Sequence, residues 1–521
     1  MLKNAASKIA LIIFLSLTSF IPGYVRSQLV PTEGFLSITS QEMKAHVDYL
    51  ASDAMRGRNT PSAELDSCAA YIAREFASYG LKPVGSHQSY FQRFNVLKTR
   101  LSSPNTLALN IAGKDTTYHI KNDFVPLHLT ANRCVTAPIV FAGYGITAPE
   151  YHYDDYQNID ARGKVVLAFT GEPQEKDSTS KFDGAKETDH SKVLIKVQNA
   201  RDHGAVGLLL VSPPTHRFRR PPNPWPSLMR NAPEDAIPLT LEEAAESQIV
   251  AMRIGKELAD DLLTGTGYNY EQIHRSIDEK LEPFSFDIPD KIITMETALA
   301  AEKFPTQNVV GFLEGSDPLL KNEIVVIGAH YDHVGVSNDS IYNGADDNAS
   351  GTAGVLEVAE AFAHCKTKPR RSILFITFAG EEKGLFGSRY FTTDPIFPIE
   401  NIVTMLNLDM ISRNDTNEVA IVGSKSSEDL KAINEQCNRT IGLKLDYDQD
   451  RYFMQSDHYS FYRKDIPVLF YFTKETPDLH KPSDDPDKII PVKMARIGQL
   501  VFSTAWSIAN RTERPRFVRF R

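Results

Sequence analysis

The sequence predicts an α/β fold: a largely parallel sheet covered by helices on both faces, with a helical opening and a separate inserted unit rich in strands. Three observations carry this. After residue 305, apolar strand-like runs alternate with segments of helical periodicity. Before residue 80, apolar residues recur at helical spacing. Between 135 and 285 the texture changes to short strand-like runs. A chain of 521 residues, 42% hydrophobic and 24% charged, can bury a sizeable core and is long enough for more than one domain.

The elements follow in order. Residues 1–27 read as a secretory signal peptide: Lys3 and Lys8 flank the start, Ile9 to Ile21 form an apolar run, and Arg26-Ser27 precede cleavage. The run is short for a membrane span, which predicts an exported protein, secreted or periplasmic, with no stable span after signal removal. Met43, Val47 and Leu50 mark one helix, and Leu65, Cys68, Ala69, Ile72 and Phe76 a second that stops at Gly80 and Pro83. The polar loop between them, Ala51 to Arg58, reads as a solvated turn. The first part of the main domain is thus expected over 28–134.

An inserted domain is expected over 135–285, with strands at Ile139–Ala142, Val165–Phe169 and Val206–Val211 and a helix near 192–203. Prolines between 213 and 233 make the next stretch an extended excursion, and Arg217, Arg219, Arg220 and Trp225 within it read as a solvated loop. The rest of the main domain, 286–511, alternates: strand 324–328, helix 351–364, strand 372–378, strand 403–408, helix 427–440, strand 468–472 and a last helix carrying Val492, Ile497, Leu500, Val501 and Ile508. Residues 512–521 read as a frayed basic tail.

Charge narrows the partners. With 57 basic and 66 acidic side chains the net charge is −9 and the pI near 5.9, which argues against a general grip on nucleic acid or an anionic membrane. A small molecule or peptide is the expected partner. Cys68, Cys134, Cys365 and Cys437 include no Cys-x-x-Cys pair, so neither a redox pair nor a zinc knuckle is indicated. Export permits disulfides without requiring them.

Open α/β sheets hold ligands at the carboxyl ends of their strands. In this sequence those ends supply metal ligands repeatedly: His330-Tyr331-Asp332-His333 after one strand, Glu381-Glu382 after the next, Asp409 after a third, the loop 344–351 before a helix, and His480 after the last strand. Each alone is a weak signal. Together they form a set of buried carboxylates and imidazoles that two divalent cations would neutralise. Two zinc ions suit the stoichiometry, with Asp347 bridging, His330 and Asp409 completing one position, and Glu382 and His480 the other. Such a pair activates water for hydrolysis. Glu381, beside a ligand but not itself one, is the candidate general base, and Asp332 the residue that orients His330 by accepting its second ring proton.

The stretches IGAHYDHVG (327–335), NGADDNASG (343–351), FAGEEKGLFGS (378–388), LNLDM (406–410), SDHYSF (456–461) and LHKPSDD (479–485) resemble the co-catalytic di-zinc aminopeptidase family, whose relatives include glutamate carboxypeptidases, glutaminyl cyclases and the transferrin receptor. The resemblance implies a three-layer α/β/α zinc exopeptidase domain with a mixed, largely parallel sheet. It implies two zinc ions per subunit held by His330, Asp347, Glu382, Asp409 and His480, with Glu381 as base and Asp332 in support. It chooses Asp347 over Asp346 as the bridge, implies a cis peptide between Asp347 and Asn348, and places His480 rather than His458 as the last ligand, leaving His458 to shape the substrate pocket. LASDAMRGR (50–58) and YGLKPVG (79–85) resemble the start of the same domain, and PIVFAGYGI (138–146) with ARDHGAVGLLLV (200–211) resembles the protease-associated domain inserted in many members. The long Pro/Arg-rich stretch 213–236 departs from that pattern.

The expected activity is removal of amino-terminal residues from peptides. Carboxypeptidase or dipeptidase action on the same fold is the alternative, since the sequence does not place the groups that would hold a substrate ammonium or carboxylate. A receptor-like binding protein is a third reading, which the complete ligand set disfavours.

Overall fold

The computed structural model describes residues 30–177, 179–182, 184, 188–214, 239–242 and 249–519. The signal-like segment 1–27 and the Arg217 to Trp225 cluster lie outside the described residues. Among the described residues no helix is long and apolar enough to cross a membrane, and all four cysteines are unpaired.

The main sheet has nine strands: β1 (Phe91–Leu101), β2 (Thr240–Leu241), β3 (Leu299–Leu313), β4 (Ile324–His330), β5 (Ser372–Phe378), β6 (Ile402–Leu408), β7 (Glu418–Val422), β8 (Lys444–Asp446) and β9 (Val468–Phe472). Their order across the sheet is β2-β1-β3-β5-β4-β6-β9-β7-β8. The four central strands, β5, β4, β6 and β9, run parallel. Antiparallel partners flank them, β3 on one side and β7 on the other.

Side chains alternate across each central strand, and that alternation builds two cores. Val325, Ile327 and Ala329 of β4 enter a core with Ile373, Phe375, Leu406 and Leu469. Ile324 and Val326 enter the opposite core with Leu374, Ile376, Met405 and Phe470. Helices α1 (Ser40–Leu50), α2 (Ala63–Ser78), α3 (Gly351–His364), α4 (Glu428–Ile441) and α5 (Pro491–Asn510) pack on the first face, where Met43, Cys68, Phe76, Leu356 and Trp506 are buried. Short helices at Phe386–Thr393 and His458–Tyr462 cover the second. Strands buried on both faces read as continuous apolar runs, which is why β5 and β9 are found where the sequence places them.

A second, eight-stranded sheet lies between β1 and β3 in the chain. It includes Thr106–Ile111, Lys114–Tyr118 and Phe124–Pro126 as well as Ser285–Glu296, so the strands of this sheet reach beyond 135–285 on both sides, while β2 at 240–241 returns to the main sheet. The reason is non-local. β1 and β3 pair in register from Phe91↔Val309 to Leu101↔Leu299, and Ser102 N–H closes the neck on Ala298 O at 2.8 Å; nothing in the local pattern of either strand announces the other. Helices accompany the second sheet, one of them where the sequence expects it near 192–203. Strands Cys134–Ala142, Val165–Phe169, Gly207–Val211 and Val250–Ile254 run parallel, and the helices Val193–Asp202, Lys256–Leu263 and Tyr270–Lys280 bury residues against its two cores.

Two further expectations give way. The end of the chain is anchored rather than frayed over its described part: Arg514 pairs with Glu323 at 2.9 Å, Arg516 with Asp429 at 3.1 Å, and Val518 N–H donates to Ser426 O at 2.8 Å. The 51–58 loop is no solvated turn either, because Arg58 is entirely buried.

Candidate metal centre

The carboxyl ends of the four parallel strands converge on one edge, and each delivers a polar side chain there. His330 is the last residue of β4, Glu381 and Glu382 follow β5, Asp409 follows β6, and His480 lies in the loop after β9. The loop Gly344–Ser350 crosses in front and leads into α3. Its Asp347-Asn348 peptide is cis, as the resemblance implies.

Asp347 is the centre of the arrangement. Its Oδ1 lies 3.4 Å from His330 Nε2, which is also 3.3 Å from Asp409 Oδ1. Its Oδ2 lies 3.1 Å from His480 Nε2, which is also 3.1 Å from Glu382 Oε2. One carboxylate therefore faces two separate donor sets with its two oxygens. Asp346 does not: its Oδ1 accepts from the Ser412 N–H at 2.9 Å and hydroxyl at 2.6 Å, and burial with the nearby Asp484 carboxylate pushes it up to about 7.

These donor separations suit zinc. Zinc bonded to N and O at about 2.0–2.1 Å in a tetrahedron has ligand atoms about 3.3 Å apart, and the four separations above run from 3.1 to 3.4 Å. The donors are mixed imidazole and carboxylate, a set that zinc accepts.

Electrostatics point the same way. Burial works against ionising Asp347, yet the facing histidines His333, His330 and His480 hold its carboxyl well below the usual range. Glu382 behaves alike: burial and Asp347 oppose ionisation, and His333 and His480 bring it down to about 2. Hydrogen bonds to Asp347 and Glu382 push His480 up to about 10. Glu381 goes the other way, raised well above the carboxylate range by burial and by Glu382 and Asp409, against the pull of His330. A buried cluster in which carboxylates outnumber imidazoles needs added positive charge.

The scaffold around the ligands is largely main-chain hydrogen bonding. Asp484 accepts from the N–H groups of Asp346 and Asp347, each at 3.1 Å. Ser456 Oγ donates to Asp409 Oδ2 at 2.7 Å. The Arg58 guanidinium donates to the carbonyls of Leu50, Tyr331, Asn343, Gly344 and Asp347, joining α1, the loop after β4 and the bridging loop.

All seven residues singled out in the sequence come to this edge of the sheet. One contact differs from expectation. His330 Nδ1 lies 3.1 Å from the main-chain carbonyl of Asp332, while the Asp332 carboxylate is 3.8 Å away. That carboxylate accepts instead from Glu381 N–H at 3.1 Å and from the Thr60 hydroxyl at 3.1 Å. A sharp loop at 330–333 turns the carbonyl inward, which residue identity alone does not reveal. His458 is fully buried against Phe470, ring centroids 4.7 Å apart, so it belongs to the core rather than to a pocket.

Sequence reading missed two contributors. Arg58 was legible only as a polar loop residue. His333, three residues after His330, is fully buried with Nδ1 2.8 Å from Glu382 Oε1; the His-x-x-His spacing within HYDH was the available signal.

Comparison with known proteins covers this part of the chain. Residues 308–505 match Peptidase family M28, a span that holds all seven expected residues. The chain is 27% identical over 258 residues to a probable leucine aminopeptidase of Arthroderma otae, covering 44% of this chain and 71% of that protein. It is 39% identical over 115 residues to a probable zinc metalloprotease of Pyrenophora teres f. teres, covering 21% of this chain and 23% of that one. The fold is shared with the aminopeptidase from Aneurinibacillus sp. strain AM-1, with a TM-score of 0.52, 22% identity, and coverage of 94% of this chain and 98% of that one.

Proposed function

From a chain that carries a Peptidase family M28 domain over residues 308–505, we propose a zinc-dependent aminopeptidase that holds two zinc ions and releases amino-terminal residues from peptides. The observation that carries this reading is the division of Asp347 between two donor sets, Oδ1 with His330 and Asp409, Oδ2 with Glu382 and His480. When bound, zinc supplies a Lewis acid that polarises the scissile carbonyl and makes water acidic near neutral pH.

The protein's own groups do the rest. Glu381 takes a proton from the attacking water and returns it to the leaving amine. Its raised affinity for a proton, caused first by burial, suits a base that must hold the proton between the two steps. The Asp332 carboxylate fixes the Glu381 main chain through its N–H at 3.1 Å and so positions the base. His480, with its side chain 51% exposed, marks the open side through which a peptide end enters. The name of the fungal relative supports action at the amino end.

The test is a mixture of one peptide and its amino-acetylated twin, incubated with the zinc-loaded protein and followed by mass. Stepwise shortening of the free peptide alone supports the proposal. Shortening of both from the carboxyl end overturns the aminopeptidase assignment. Export is part of the proposal and rests on the apolar run Ile9 to Ile21; a protein retained in the cytoplasm with its first 27 residues intact would contradict it.

A further inference from the structure

His333 has no part in the ligand set described so far, yet its ring stands where a ligand would. It is fully buried, and its Nδ1 lies 2.8 Å from Glu382 Oε1 and 3.6 Å from Asp347 Oδ2. His480 Nε2 approaches the same two carboxylates at 3.1 Å each. The two imidazoles meet edge to face, with ring centroids 5.6 Å apart, and the four donor atoms of His333, Asp347, Glu382 and His480 all lie within 4.8 Å of one another.

The backbone makes room for this ring. Gly344 has φ +59, and a Cβ there would come within 2.5 Å of the His333 ring carbons. His333 N–H donates to the Arg58 carbonyl at 3.3 Å, which ties the residue to the clamp that also holds the bridging loop. Its Nε2 has no hydrogen-bond partner among the described residues, and its Nδ1 faces the carboxylates of Glu382 and Asp347.

We propose that His333 binds metal through Nδ1 as a fourth protein ligand, making the two zinc positions unequal. His333 Nδ1 and His480 Nε2 lie 3.6 and 3.1 Å from the same Asp347 Oδ2, and His480 Nε2 lies 3.1 Å from Glu382 Oε2, separations close to the about 3.3 Å edge of a zinc tetrahedron, while the 2.8 Å approach of His333 is to the other Glu382 oxygen, Oε1. His333, Asp347, Glu382 and His480 then saturate one position, as in a structural zinc site. The other keeps three protein donors, His330, Asp347 and Asp409, and an open place. The division of labour follows: one ion anchors the bridging carboxylate, and the other meets substrate.

This inference rests on the proposed metal centre, and the experiment separates the two. Zinc K-edge X-ray absorption on the fully loaded protein counts imidazoles through their outer-shell scattering. His333 ligation predicts three imidazoles shared by two zinc ions, falling to two in His333→Gln, with metal content measured on the same samples by elemental analysis. Two imidazoles in the parent, unchanged in the variant, would mean that His333 only hydrogen-bonds to Glu382 and would overturn the inference while leaving the metal centre intact. Failure of the parent to hold zinc would instead overturn the metal centre. The parent count decides the matter even if the variant does not fold, and His333→Gln is compared with the parent by metal-free thermal unfolding to show that it does.

Discussion

The Arg58 guanidinium donates to the main-chain carbonyl of Gly344 at 2.7 Å, from a position with no solvent exposure. The residue that begins the bridging loop is thereby held by a side chain from the far end of the sequence. The same guanidinium reaches Tyr331 O at 2.8 Å, just past His330. The loop that carries Asp347 and the chain just after His330 share one anchor.

Replacing Arg58 by Met removes every one of these donors and leaves buried carbonyls unpaired. The expected loss is more than about 3 kcal/mol of stability, because buried acceptors lose a charged donor together. Zinc affinity should fall with it. Urea unfolding of the metal-free protein measures the first and a chelator titration the second; a variant within about 1 kcal/mol of the parent would show that the clamp is dispensable. Lys is not expected to substitute, since one ammonium cannot reach carbonyls spread around a planar fork.

Glu381→Gln keeps the shape of the base and removes its proton chemistry. Zinc content should match the parent, while turnover falls by about 10²–10⁴-fold. Elemental analysis and peptide hydrolysis on one preparation settle the pair. Substantial retained turnover would assign the proton transfer to another group, and lost zinc would make Glu381 a ligand.

Removing the metal should weaken the fold. Asp347 is grouped with Glu382 on one side and with Asp409 on the other at a buried edge, and bound cations would offset the repulsion between these carboxylates. Ligand linkage then makes the unfolding temperature rise with free zinc, by an amount equivalent to about 2.7 kcal/mol at a hundredfold excess over Kd. Calorimetry with and without chelator reads this directly, and an unfolding temperature indifferent to zinc would argue against a built metal site.

His458 gives the protein an acid-side sensitivity of known sign. Burial pushes its imidazole down from the ordinary 6.5 to about 3, so the folded ring stays neutral where the unfolded one takes a proton. The unfolded state binds more protons between about pH 6.5 and 3, and stability therefore declines as pH falls through that window. His458→Phe, which keeps an aromatic ring against Phe470, should flatten the decline without raising stability's dependence above pH 7. Urea midpoints of parent and variant from pH 8 to pH 4 provide the comparison; parallel curves would remove His458 as the source.

Much of the molecule was legible before any coordinates. The strands β5 and β9 and the helix α3 lie at the residues their apolar patterns indicate, because an element buried on its core faces must spell that burial locally. The residues that gather at this edge were legible for a related reason: a carboxylate or imidazole directly after an apolar strand interrupts a pattern that otherwise has no use for it. What local pattern cannot encode is partnership. β1 finds β3 across the strands of the second sheet, a pairing that emerges only in the ladder between them.

The same distinction divides the site. Residue identities by themselves determined an α/β sheet whose strand ends carry His330, Glu381, Glu382, Asp409 and His480, because chemistry and periodicity are properties of the chain. Tertiary structure alone decided that Asp347 splits its oxygens between two donor sets, that the Asp332 carbonyl rather than its carboxylate meets His330, that Arg58 is a buried clamp, and that His333 joins Glu382. Those are relations of direction and distance between segments far apart in sequence, and they exist only once the sheet has brought the loops together.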